Sequence, residues 1–72
     1  MNINTENMKT KAMIVGEVGV LVGILNDQPV LIRSTPKNAD FVKVREAAMI
    51  AARVLGYAED RRFRTGWRKV QS

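Results

Sequence analysis

The side chains in this sequence best equipped for recognition chemistry are its arginines and aromatics, and they lie close together. Arg61, Arg62, Phe63, Arg64, Trp67, Arg68 and Lys69 interleave cations with flat rings in one short stretch. A guanidinium donates two parallel hydrogen bonds to a phosphate or a carboxylate, and an aromatic face stacks on a base or covers apolar surface. The pattern points to holding a nucleic acid or an acidic protein surface. The tools of covalent catalysis are missing: the chain has no His and no Cys. That removes the usual general base, the best thiolate nucleophile and the commonest zinc and iron–sulfur ligands. The acids Glu6, Glu17, Asp27, Asp40, Glu46, Glu59 and Asp60 are scattered, mostly beside Lys or Arg. Paired carboxylates must face each other across a pocket to act as acid and base, so these read as surface charges. The expectation is a non-enzymatic protein with no cofactor and no metal.

The charge is unevenly placed. The 72 residues carry 12 Lys+Arg against 7 Asp+Glu, a formal net charge of +5. Residues 1–60 hold all the acids and an equal number of bases and sum to zero, whereas 61–72 hold Arg61, Arg62, Arg64, Arg68 and Lys69 with no acid. A neutral body therefore carries a basic end. If all five cations met phosphates, affinity for duplex DNA would fall with a log–log salt slope near about −4 to −5.

The elements that position these residues follow from periodicity. Residues 1–10 are polar, without periodicity, and read as a disordered tail; 11–66 read as a single small α+β domain and 67–72 as a basic C-terminal tail. Ala12–Val15 and Val18–Leu25 are β-branched, apolar runs that favour strands. Gly16-Glu17 between them fits either a tight turn or a bulge. Val18, Val20, Val22 and Ile24 share one face of the second run, and Gly19, Leu21, Gly23 and Leu25 share the other. Asn26–Pro29 is a four-residue turn signal, followed by Val30–Arg33 as the returning strand. The fold class is a small antiparallel hairpin or three-stranded meander packed on one main helix.

That helix is expected from about Pro36 or Ala39 to Leu55, with Thr35, or Asn38 with Asp40, as cap and Gly56 as a left-handed stop. At 100° per residue, Phe41, Val44, Ala48, Ala51, Ala52 and Leu55 form its core face. Lys43, Glu46 and Arg53 mark the solvated wedge. Val42 and Met49 lie on the flank and Ile50 falls on the polar side. Adaptable Met beside β-branched side chains, rimmed by Lys43 and Arg53, suits a protein-docking surface; the same stripe could join two copies, so the chain is read as a monomer or a homodimer. Residues 57–65 are expected to form a short basic second helix, with Glu59 and Asp60 in its first turn and Arg64 in its last, closed by Gly66.

Ala52 four residues before Gly56, with Leu55 preceding the glycine, resembles the Ala-xxx-Gly turn of helix-turn-helix proteins over Ala48–Trp67. That resemblance implies a second helix entering a DNA groove. It departs from the pattern at Arg62 and Thr65, where the second helix should be apolar. In size, compactness and lack of catalytic residues, the chain resembles small phage-encoded proteins that bind host RNA polymerase and alter initiation or termination, of the Xanthomonas-phage type. No residue role is carried over from that likeness. It implies a non-enzymatic transcription regulator that docks on RNA polymerase or another transcription protein, with direct DNA or RNA binding through the basic end as the alternative.

The apolar Ala12–Leu25 stretch following Lys9 and Lys11 is not expected to be a signal peptide. Glu17 interrupts it, Gly16, Gly19 and Gly23 dilute it, and no small-residue cleavage site follows. It is also shorter than the ~20 apolar residues of a membrane span. The expected setting is the cytoplasm of a bacterial host cell, away from membranes.

Overall fold

The computed structural model describes residues 9–70. Of the tail expected over residues 1–10, residues 1–8 lie outside them, and Thr10 is strand instead, paired with Gly23. Strand β1 (Thr10–Val15), β2 (Val18–Leu25) and β3 (Gln28–Thr35) form an antiparallel sheet in sequence order, so the meander is the form adopted. Each connection is two residues long. Gly16, at φ 62°, is the first central residue between Val15 and Val18, which settles the Gly16-Glu17 question as a hairpin turn. Asn26 and Asp27 both have positive φ, 54° and 62°, the mirror-image turn that matches the natural twist of a hairpin. The expected four-residue turn is therefore two residues long. Gln28 pairs with Leu25 and Pro29 with Ile24, because the left-handed Asn-Asp pair reverses the chain by itself. Leu21 faces Arg33 while Val22 faces Leu31, leaving Ile32 as an extra residue in a bulge on β3.

After a cis Thr35–Pro36 peptide, helix α1 (Phe41–Val54) starts later than the sequence spacing implied. The reason is the cap. The Asp40 carboxylate accepts from the Val42 amide at 2.8 Å and its carbonyl accepts the first helical bond from Val44, while a turn from Ala39 N–H to the Pro36 carbonyl occupies the preceding residues. The expected stop at Gly56 is present, with φ 97° and its amide donating to the Arg53 carbonyl.

The core is a layer of small side chains. Val18, Val20 and Val22 of β2 meet Val44, Ala47 and Ala51 of α1, with Met13, Val15, Ala39, Ala48 and Leu55 packed around them. Ala47, Ala51 and Ala52 are fully buried. Phe41 was expected in this face but is 76% exposed. As the first helical residue, it lies at the end of the helix, beyond the turns that pack on the sheet. Ala47 takes a core place the sequence reading omitted.

Among the described residues no second helix follows Gly56. Tyr57–Glu59 forms strand β4 and Trp67–Lys69 forms β5, paired antiparallel as a separate two-stranded sheet. The Val70 amide closes onto the Gly56 carbonyl at 2.8 Å, so the chain pairs with itself immediately after the helix stop. Residues 60–66 make turns: Asp60 donates to Gly66 O, Phe63 to Asp60 O, and Gly66, at φ 82°, to Phe63 O. This overturns both the short basic helix and the helix-turn-helix reading, since the groove-entering helix is absent. Trp67–Lys69, expected in a tail, is strand.

Candidate functional site

Two surfaces carry the residues singled out by the sequence. The first is the outer side of α1. Val42 is 60% exposed, Lys43 and Arg53 are exposed, Ile50 is 45% exposed and Met49 is half-buried. Met49, Ile50 and Arg53 line one shallow depression together with Val54, which also stands in solvent. Val42 and Lys43 lie one to two turns toward the N-terminus, outside that depression. The sequence reading missed Val54, although its spacing of four from Ile50 places it on the same ridge.

Met49 also lines a second, narrower groove with Val22, Leu31, Ala48 and Trp67. Arg45 and Glu59 belong to that groove, and their ion pair, at 3.0 Å and 3.2 Å from one guanidinium nitrogen to the two carboxylate oxygens, ties α1 to β4. Both partners are well exposed, so the pair fixes orientation more than it stabilises, contributing about 0–1 kcal/mol.

The second surface is the β4–β5 hairpin with its connecting loop. Strand alternation puts Tyr57, Trp67 and Lys69 on one face, and these line a groove of about 330 Å³ with Phe63, Thr65 and Asp27. Phe63 is 48% exposed, whereas Tyr57 is buried. The Tyr57 hydroxyl donates to Asp27 Oδ1 at 3.4 Å, and Lys69 Nζ sits 3.5 Å from the same oxygen. The β2–β3 turn is thereby latched onto the hairpin.

The five basic residues of this end are not equivalent. Arg62 grips Asp60 with Nε and Nη2, and Arg68 Nε approaches Asp60 Oδ2 at 3.4 Å. The Asp60 side chain is only 9% exposed beneath them. Its carboxyl is held far below the usual carboxylate range, first by the side-chain bond from Arg62, then by the Arg62 amide, against a smaller opposing effect of desolvation. The Arg62 guanidinium is correspondingly raised by Asp60. Lys69 is turned toward Asp27. Among the described residues, Arg61 and Arg64 are exposed and make no ion pair. The structure brings Phe63, Trp67 and Lys69 to one groove but leaves only two of the five cations uncommitted.

Among the described residues no three His, Cys, Asp or Glu side chains come together to hold a metal ion, and no helix is long and apolar enough to cross a membrane. Comparison with known protein families, characterised proteins and solved structures finds no match to this chain.

Proposed function

We propose that this chain is a non-enzymatic docking protein that uses the outer face of α1, from Val42 to Val54, to bind another protein. The observation that supports the reading is that face itself: Ile50 and Val54 are exposed beside half-buried Met49 with Arg53 at the rim, and exposed Val42 and Lys43 continue the face toward the N-terminus. Apolar side chains grouped on one helix and edged by cations fit a helix-in-groove or helix-on-surface contact. The partner class is taken from the likeness in size and character to phage-encoded regulators, which makes the partner RNA polymerase or another host transcription protein and the setting the cytoplasm of a phage-infected bacterium. Binding there would inhibit or redirect transcription.

Purified bacterial RNA polymerase, titrated with the labelled chain, tests this directly. Saturable binding is expected, with loss of at least tenfold in affinity for Met49→Glu or Ile50→Glu, about 1.4 kcal/mol or more, while circular dichroism stays unchanged. Absence of binding removes this partner; binding that ignores both variants removes this surface.

A second reading, direct binding of DNA or RNA by the basic end, is favoured by one observation: Phe63 and Trp67 share a groove next to Lys69. With Arg62 and Arg68 paired to Asp60 and Lys69 beside Asp27, Arg61 and Arg64 are the two of the five that make no ion pair among the described residues, so the expected log–log salt slope on duplex DNA is about −2. Lack of measurable affinity at ~50 mM salt removes this reading.

A further inference from the structure

The three-stranded sheet has two outer edges, and they differ in what they offer. On β3, Pro29 lacks an N–H and Ile32 forms a bulge, both of which spoil strand addition. On β1, Thr10–Val15 contains no proline, pairs with β2 without a register shift, and lies at the outside of the sheet. The direction of its backbone groups follows from the ladder. The Ile24 amide donates to the Lys9 carbonyl at 3.0 Å, and antiparallel pairs alternate between bonded and non-bonded. Lys9, Lys11, Met13 and Val15 therefore turn their backbone groups toward β2. Thr10, Ala12 and Ile14 turn theirs outward.

We infer that β1 is a self-association edge, and that its occupant is β1 of a second copy of this chain, running antiparallel about a two-fold axis through Ala12. In this register every outward-facing group meets an outward-facing group. Ala12 exchanges two bonds with its symmetry mate, and Thr10 and Ile14 exchange two more at each end. A slip by one residue would set outward groups against inward ones and lose them all. Charge agrees with the register, since Lys11 falls opposite Met13 of the other copy and Lys9 opposite Val15, so no like charges face each other directly. Ile14, 80% exposed on the sheet face away from α1, comes beside Thr10 of the second copy. The result is a continuous six-stranded sheet with both helices on the same side.

Sedimentation equilibrium of the full chain across a wide concentration range tests the inference. The expected mass rises toward twice the 8.1 kDa of one chain. Ala12→Lys, at an exposed position, places two cations face to face on the axis and is expected to weaken self-association by about tenfold or more without changing the fold. Ala12→Cys in this cysteine-free chain reads the register independently: oxidation is expected to link Ala12→Cys chains into dimers much more readily than Ile14→Cys chains, because only position 12 meets itself. A mass that stays at one chain throughout, a dimer indifferent to Ala12→Lys, or equal cross-linking at both positions overturns it.

Discussion

Asp60 and Arg62, two residues apart in the turn after β4, form a forked ion pair, with Arg62 Nε 3.0 Å from Oδ1 and Nη2 2.8 Å from Oδ2; the Arg62 amide adds a third bond at 3.0 Å. The segment that reads in sequence as a basic arm is thus folded around a carboxylate. Asp60 also organises the loop backbone, donating to Gly66 and accepting from Phe63. The same residue that closes the loop removes Arg62 and Arg68 from the pool of free cations.

This arrangement has a pH signature. The folded-state value of Asp60 lies below that of the unfolded chain. A depressed carboxylate contributes stability that is fully present above the unfolded value near ~3.9 and is lost as the pH falls toward the folded value. Thermal melts are expected to show Asp60→Asn less stable than wild type at neutral pH, with the difference shrinking progressively below about pH 4. A constant difference down to strongly acid pH would show that Asp60 acts through something other than its charge.

Two glycines resist replacement by alanine for different reasons. Gly16 has φ 62° and open space where a Cβ would sit. Gly16→Ala is therefore expected to cost about 1–2 kcal/mol from backbone conformation alone. At Gly19 the backbone is ordinary strand, but an added Cβ lies 3.0 Å from Thr35 Oγ1. In a Thr35→Ala background, Gly19→Ala is expected to stabilise by roughly 0.5–1 kcal/mol, and with Thr35 present that gain shrinks or reverses. Urea unfolding of Gly16→Ala and of the four chains in the Gly19/Thr35 cycle checks these signs.

The packing of α1 on β2 depends on small residues. Ala51 is fully covered beside Val22, itself 1% exposed. Ala51→Leu is expected to lower stability by about 1–3 kcal/mol through overpacking. Val42→Leu, on the open side of the same helix, should change it by no more than about 0.5 kcal/mol. Equal effects of the two in chemical denaturation would contradict the orientation of α1.

Much of the main body is legible from residue type and spacing. Alternation groups Val18, Val20 and Val22 on one face of β2, Gly16 marks a turn or a bulge between two strands, and Gly56 marks the helix end; packing decides that the valine face is the core side and that Gly16 is a turn. What spacing obscures is governed by single local contacts. Asp40 competes with Pro36 for the helix start and prevails through its bond to Val42. Phe41 has the right angle for the core but lies at the end of the helix. Ala47 is overlooked because a methyl group weighs little in any apolar count, although a close helix needs it. The stretch Tyr57–Thr65 contains ordinary helix formers, but the pairing of Tyr57–Glu59 with Trp67–Lys69 makes its first three residues a strand and leaves the rest to turns. The candidate site shares this division. The exposure of Val42 and Ile50 follows from helical angle, whereas the neutralisation of Arg62, Arg68 and Lys69 depends on Asp60 and Asp27, whose positions are set by turns.

The small size of the domain, with a single sheet-and-helix interior, has a calorimetric consequence. For a chain of 72 residues the enthalpy of melting is only about 50 kcal/mol. Such a domain melts gradually, spread over something like twenty degrees, and each kcal/mol gained shifts the midpoint by about 4–8 °C. A ligand of the folded form at one hundred times its dissociation constant adds about 2.7 kcal/mol. Engagement of any partner that prefers the folded chain should therefore be visible as a rise of ten degrees or more, which makes the protein its own thermometer for binding.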